Sequence, residues 1–227
     1  MERKEKKKRT KEKAEETKEK ISRNNPIYTI LIVFAILIIV FFSFYYLFSN
    51  LGKFKYEGIT FTKEKFGEIP VFHYYYYITP EIKYNLYLRN DPRGNLVPFT
   101  GRAIEIFKLD KVYLSINPEE LTQCEYGRVG IGTLASFLAD NQFIVKGATQ
   151  NETLAKEANV DYATCESNPG DVVIQIQSGD KTEVIHDSLN CYKIDIAECE
   201  VLPAIEKFQV QMILDARARK LEADKTN

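Results

Sequence analysis

The sequence predicts an α+β protein with an N-terminal transmembrane helix and one extracytoplasmic domain, which contains an antiparallel sheet and a C-terminal helix. Three observations lead to this prediction. One uncharged run is long enough to cross a bilayer, the residues after it alternate like β-strands, and the last stretch has apolar residues at helical spacing. The predicted boundaries are 1–25 for a basic tail, 26–49 for the membrane helix and 50–227 for the folded domain.

The membrane helix is predicted from residues 27–48, which form an apolar run of 22 residues without a charge. At ~1.5 Å per residue a helix of this length spans roughly 33 Å, enough to cross a hydrocarbon core of ~30 Å. Pro26 suits the first turn of a helix, and Tyr45 and Tyr46 lie near one end, where aromatic rings favour the lipid headgroups. Because the run is longer than the core of a signal peptide and no small-residue cleavage site follows it, we expect an uncleaved signal anchor.

The distribution of charge predicts which side of the membrane each part occupies. Residues 1–25 contain eleven Lys/Arg and six Asp/Glu, whereas the rest of the chain contains 20 and 26. Eight basic residues lie within 7–26 and four within 49–68, so the positive-inside rule places the N-terminus in the cytosol and the domain outside the cell membrane. The tail mixes glutamates with its lysines and has no aromatic residue, so no nucleic acid is expected as a partner.

The four cysteines, all after the apolar run, agree with an oxidising compartment. Cys124, Cys165, Cys191 and Cys199 allow three pairings, and we favour Cys191–Cys199 as a local bridge with Cys124–Cys165 as the longer one. Free buried cysteines are an alternative. A metal site is a weaker one, because no C-x2-C pair is present. A single sequon at Asn151 is a candidate acceptor for a glycan.

The first part of the domain, residues 51–117, is predicted to form the antiparallel sheet. Alternating β-formers suggest strands over 54–61, 69–78, 84–89, 103–109 and 111–116. Turn residues at 79–80, 90–94 and 100–101 separate them.

The second part is predicted to mix helices and strands. Helices are expected over 134–140 and 152–158, and strands over 143–146, 171–177, 182–186 and 191–196. Residues 178–180 contain Gly179 and predict a hairpin between two of these strands. Pro203 is predicted to open a closing helix to about residue 223, whose apolar positions recur at helical spacing and whose last turns are basic.

The candidate binding residues are tyrosines and arginines. Tyr74, Tyr75, Tyr76 and Tyr77, called here the tyrosine run, send alternate rings to opposite faces of a strand, so one pair would pack in the core. The other pair would form an exposed aromatic surface for a peptide or glycan, unless the rings simply pack in an aromatic-rich sheet or rest on lipid headgroups. Arg89 and Arg93 flank a polar turn and would offer two guanidinium groups to an anion, although an ordinary turn explains them as well.

Other motifs do not predict catalysis. Gly127, Gly130 and Gly132 fit neither phosphate-loop spacing, so we expect a flexible segment before a helix. His186 is contiguous with an Asp and a Ser, whereas a catalytic triad brings its groups together from separate segments, and His73 has no evident partner. No catalytic residue, cofactor or metal is therefore predicted.

These observations favour a non-catalytic, membrane-anchored binding module or accessory subunit whose partners are the lipid bilayer and another protein or envelope component. The alternatives are a cell-envelope hydrolase with an unrecognised active site, and a structural subunit whose membrane span is the functional part. A cleft that gathers a histidine, a carboxylate and a serine would favour the hydrolase.

Overall fold

The computed structural model describes residues 26–50, 52–107, 110–121 and 123–226, in two compact units, Met1–Leu51 and Gly52–Asn227. In the first unit, helix α1 (Pro26–Asn50) is long and apolar enough to cross a membrane. Its segment Pro26–Leu47 has a mean hydropathy of 3.0 and no buried residue. The predicted basic tail, residues 1–25, lies outside the described residues.

The second unit begins with an antiparallel sheet of four strands in sequence order, which confirms that part of the predicted fold class. The strands are β1 (Lys53–Tyr56), β2 (Ile59–Phe66), β3 (Ile69–Tyr77) and β4 (Lys83–Leu88). Glu57 and Gly58 both have positive φ, as a tight two-residue hairpin between twisted strands requires.

A second sheet has seven strands in the order β5-β10-β11-β9-β6-β7-β8, and most of its neighbouring strands are parallel. Its strands are β5 (Phe99–Gly101), β6 (Lys111–Ile116), β7 (Ile144–Thr149), β8 (Asp161–Tyr162), β9 (Val172–Ser178), β10 (Glu183–Ser188) and β11 (Cys191–Ile196). The assignment of residues 111–116 to the antiparallel sheet is therefore wrong. The parallel arrangement suits β9, which is buried on both faces over residues 172–176.

Three helices lie between parallel strands and a fourth closes the described part of the chain. The helices of this unit are α2 (Pro118–Leu121), α3 (Gly127–Asp140), α4 (Glu152–Ala158) and α5 (Val201–Thr226). Helices α3 and α5 lie between the two sheets: Phe137 of α3 meets Tyr84 of β4, and Phe208 of α5 meets Tyr192 of β11. The predicted C-terminal helix is thus confirmed, and it packs in the centre of this unit.

The strand predicted over residues 103–109 does not form: residues 103–107 are irregular, and 108–109 lie outside the described residues. Their alternating pattern is real, because Ile104 and Ile106 are buried. Their backbone N–H groups, however, donate to side chains instead of a neighbouring strand. Ile104 N donates to Asp215 at 2.8 Å, and Glu105 N donates to the Tyr192 hydroxyl at 3.1 Å.

The hairpin predicted around Gly179 is also wrong. Strand β11 lies between β9 and β10, so the hairpin is the antiparallel β10–β11 pair, joined at residues 189–190. Gly179 instead begins a longer connection to β10. A turn signal identifies a change of direction but not which strand becomes the neighbour.

Four cysteines form two disulfides, but the favoured pairing is wrong. The bonds are Cys124–Cys199 and Cys165–Cys191, with Cα–Cα distances of 5.3 and 5.4 Å. Cys191 opens β11 and Cys199 follows its end, so an extended strand of six residues separates them by roughly 20 Å. A disulfide requires Cα atoms within about 7 Å, which excludes the local bridge.

The glycines at 127 and 130 belong to helix α3 itself and not to a flexible segment before it. A Cβ on Gly127 would lie 2.1 Å from the carbonyl oxygen of Leu121, and a Cβ on Gly130 would lie 3.1 Å from Val201 of α5. These two glycines therefore allow α3 to approach its neighbours closely. Gly132, by contrast, has open space where a Cβ would be.

Replacing these glycines with alanine should change stability in opposite directions. Gly127→Ala would place a Cβ against the carbonyl oxygen of Leu121 and should destabilise the domain by about 1–3 kcal/mol. Gly132→Ala meets nothing and should stabilise it by about 0.5–1 kcal/mol, because alanine loses less backbone entropy in a helix. Urea unfolding of the full chain in detergent measures both, and equal effects of the two changes would contradict this packing.

Candidate functional site

A cavity of about 680 Å³ opens in the folded unit beside the tyrosine run. This volume is typical of ligand-binding clefts. We call it the tyrosine cleft. It is bounded by residues 74–78 of β3 and the turn after it, by Ile106 and Phe107 of the irregular segment, and by residues of α5 between 212 and 220.

Buried apolar side chains from three elements form one part of the cleft. Phe137 comes from α3, Phe143 from the connection to β7, and Met212 and Ile213 from α5, and each is at most 9% exposed. Their positions follow from packing, because α3 and α5 turn these residues toward the shared core. The cleft therefore has a rigid apolar part that is suited to apolar ligand groups.

The tyrosine run divides between the two faces of β3, as strand geometry predicts. Tyr74 and Tyr76 pack against the core, whereas Tyr75 and Tyr77 are 51% and 62% exposed. The Tyr76 hydroxyl donates to Asn141 Oδ1 at 2.6 Å, which fixes that ring at the end of α3. Burial raises the pKa of Tyr76 and raises that of Tyr84 to about 12, so both phenols are neutral near pH 7.

The cleft runs along the edge of β3. Strand β2 pairs with β3 from Phe66↔Ile69 to Thr62↔His73, and its earlier residues pair with β1 only. On the side away from β4, no strand within the described ranges pairs with residues 74–77. Five consecutive residues, 74–78, line the cavity, whereas one face of a strand would present only alternate residues.

Three basic residues of α5 line the same cleft: Arg217, Arg219 and Lys220. Arg217 donates to the carbonyl oxygen of Gly58 at the tip of the β1–β2 hairpin, at 2.6 Å, and Arg219 donates to that of Ile104. No carboxylate among the described residues forms an ion pair with these three side chains. Because the carbonyl partners are neutral, these hydrogen bonds do not neutralise the charge of either arginine.

Arg89 and Arg93, the arginines predicted from sequence, do not line the tyrosine cleft. Arg93 pairs with Asp91 at 2.6 Å and lies 3.8 Å from the centre of the Phe54 ring. The Arg89 turn does bind a carboxyl group, but this group is the protein's own Glu206. Its buried carboxylate accepts from the backbone N–H groups of Arg89 and Asn90 and from the Asn90 side chain.

The two histidines lie elsewhere. His73 is on the outer face of the small sheet, where Nδ1 donates to Glu64 at 2.8 Å and the ring stacks on Tyr87 at 4.6 Å. His186 is buried, and its Nδ1 donates to the carbonyl oxygen of Arg102 at 2.9 Å, while the neighbouring Asp187 pairs with Lys193. The contiguous His-Asp-Ser segment is therefore not a triad. No metal-binding group of three His, Cys, Asp or Glu residues occurs in the described parts of the chain.

Open α/β sheets usually bind ligands at the carboxyl ends of two adjacent parallel strands from which the chain continues to opposite sides of the sheet. In this sheet the two strands are β6, which is followed by β7 on one side, and β9, which is followed by β10 on the other. Here the chain itself occupies this position. Glu120 of α2 accepts from the backbone N–H of Ser178 at 3.1 Å and from the Asn117 side chain at 2.6 Å. These contacts hold α2 at the end of β9, and the tyrosine cleft, with its aromatic and basic lining, is the better candidate site.

Asn151 of the sequon is the N-cap of α4. Its Oδ1 accepts from the backbone N–H groups of Thr153 and Leu154 at 3.0 and 3.2 Å. The amide nitrogen, which would carry a glycan, is not used in capping, and the residue is exposed. Capping and glycosylation are thus compatible at this position.

Comparisons with protein-family models, with curated proteins and with solved structures gave no match to this chain. The function is therefore inferred from the geometry of the tyrosine cleft and from the chemistry of its lining. The sequence indicated the basic residues of that lining only as side chains that favour the C-terminal end of a helix, and not as part of a binding site.

Glu206 should make stability depend on pH. Burial raises its pKa in the folded state, so its contribution to stability is fully present below the unfolded pKa of about 4.3 and is lost as pH rises through the folded value. The unfolding free energy of the wild type should therefore decline with rising pH relative to that of Glu206→Gln. Urea unfolding across pH measures the difference, with exposed Glu81→Gln as the control. Parallel curves for wild type and Glu206→Gln would contradict the prediction.

Proposed function

We propose that this protein is a single-pass membrane protein whose extracytoplasmic domain binds a partner in the tyrosine cleft without catalysing a reaction. The partner is another protein, such as a subunit of a membrane complex, or a component of the cell envelope. The observation that carries the proposal is the cleft itself, which combines an apolar part, exposed aromatic rings and three basic side chains without paired carboxylates.

Two features support the location. Helix α1 is long and apolar enough to anchor the chain, and the two disulfides of the folded unit fit an oxidising compartment. The larger number of basic residues before the apolar run supports a cytosolic N-terminus.

The chemistry of the lining favours binding over catalysis. The described lining of the tyrosine cleft includes no carboxylate, imidazole, thiol or aliphatic hydroxyl group, the usual sources of nucleophiles and general bases in hydrolases. Exposed tyrosines with a nearby arginine are instead common where proteins bind one another, because they bury large areas with few rotatable bonds. The hydrolase alternative has no support from this cleft.

The proposed location predicts how the cysteines react. A membrane-impermeant maleimide added to intact cells should label the chain only after treatment with an impermeant reductant, because both disulfides lie on the outer side. Labelling without reductant would contradict the disulfides. Labelling that requires lysis would contradict the proposed orientation.

The binding site can be tested by site-specific photocrosslinking in cells. A benzoyl-phenylalanine at Tyr77, which lines the cleft, should capture a partner, whereas the same group at exposed Phe66, which is outside the lining, should not. Immunoblotting of the full chain gives the yield of the crosslinked product.

A matched pair of variants on α5 provides the control. Ala216 lines the cleft and Ala218, also exposed on the same helix, does not. Ala216→Trp should fill the cleft and lower the Tyr77 crosslink several-fold, while Ala218→Trp should leave it unchanged. Equal yields for the two variants would place the partner elsewhere and overturn the proposal.

A further inference from the structure

The proposed function does not specify the chemical class of the partner, and the geometry of the tyrosine cleft restricts which class fits. Resting on that function, we propose that the cleft binds an extended peptide segment with acidic side chains, which pairs as an added strand with residues 74–77 of β3. The carboxylates of the peptide would lie against Arg217, Arg219 and Lys220.

Residues 74–77 of β3 have one open edge among the described residues. In an antiparallel sheet, alternate residues direct both their N–H and C=O groups to the same neighbouring strand. Two of the four tyrosines therefore direct these groups to β4, and the other two direct theirs to the side where pairing with β2 has ended. The lining of the cleft by consecutive residues 74–78 shows that this side faces the cavity.

On the opposite wall, several backbone groups of the irregular segment already have partners. Ile104 N and Phe107 N already donate to Asp215 and Asp110, and Arg219 donates to the carbonyl oxygen of Ile104. Among the described residues, the irregular segment is therefore held through side chains and forms no strand pair with residues 74–77 of β3. Extended peptides bind such edges through their main chain, and pockets beside the edge select alternate side chains.

A peptide fits this site better than a fatty acid. An acyl chain has no hydrogen-bonding group along its length and would leave the N–H and C=O groups of the strand edge without partners. A peptide supplies these groups at the spacing of a strand. Four paired residues would extend about 13 Å, and their alternate side chains would point to the apolar part around Met212 and Ile213 or to the opposite face.

Charge selects an acidic peptide. Arg217 and Arg219 donate to the neutral carbonyl groups of Gly58 and Ile104, and Lys220 is exposed and without an ion pair among the described residues. No acidic side chain of the described lining offsets these charges. A carboxylate-bearing segment would therefore gain attraction that a basic or neutral segment lacks.

The test uses fluorescent eight-residue peptides in which Glu alternates with Val, Leu or Phe, and their Lys counterparts, with the full chain in lipid nanodiscs. Anisotropy should show saturable binding of at least one Glu peptide and at least tenfold weaker binding of its Lys counterpart. Lys220→Glu should weaken the Glu peptide about tenfold. Lys225→Glu, an exposed control on the same helix outside the lining, should change little.

Backbone methylation separates strand addition from general apolar binding. Two versions of the binding peptide are compared. One carries N-methyl groups on the odd-numbered residues, and the other carries them on the even-numbered residues. Only one set of N–H groups faces the edge of β3, so one version should lose binding about tenfold or more and the other should retain it. Equal loss in both versions, or in neither, would overturn strand addition.

A competition experiment with oleate distinguishes a failure of this inference from a failure of the proposed function. Displacement of a cleft-bound apolar dye by oleate, with no binding of any Glu peptide, would overturn the peptide proposal and leave a ligand-binding cleft. If the Tyr77 crosslink in cells is also insensitive to Ala216→Trp, the proposed function fails as well.

Discussion

The fold of the second unit depends on one constraint: the first half of α5 is buried on nearly all sides. From Val201 to Ile213 most side chains are inaccessible, because one side of the helix packs on the mixed sheet and another on the antiparallel sheet. A helix in this position cannot have the single polar stripe of a surface helix. Its polar residues must find partners inside, and Glu206 does so by accepting from the turn after β4. The helix thus joins two sheets that share no strand.

The same constraint explains the tyrosine cleft. Beyond Ile213 the helix continues past the core, where its residues become exposed. Its basic side chains then reach in two directions, Arg217 to the β1–β2 hairpin and Arg219 to the irregular segment. The cleft is the space that remains between this part of α5, Ile106 and Phe107 of the irregular segment, and the edge of β3. One helix therefore provides the central packing of the unit in its first half and the charge of the candidate site in its second.

The sequence alone predicts local features of this fold well and spatial neighbours poorly. The apolar run, the antiparallel strands and the closing helix follow from periodicity over short stretches, so they could be predicted. The position of β11 between β9 and β10, and the bond from Cys124 to Cys199, depend on pairing between distant segments, about which periodicity carries no information. The cleft also depends on contacts between segments that are distant in the sequence. Its tyrosines attract attention in the sequence, but their proximity to Arg217 follows only from the packing of α5.

An open strand edge carries a risk, because it can pair with a second copy of the same chain. Charge offers a physical answer in this protein. Strand β3 has no acidic residue, and each copy has Arg217, Arg219 and Lys220 beside its edge, so pairing two such edges would bring like charges together. The partner proposed here, an acidic segment, meets attraction at the same place. The basic residues of α5 would therefore discourage self-association and select the ligand at once, which gives a reason for basic side chains beside an aromatic strand edge.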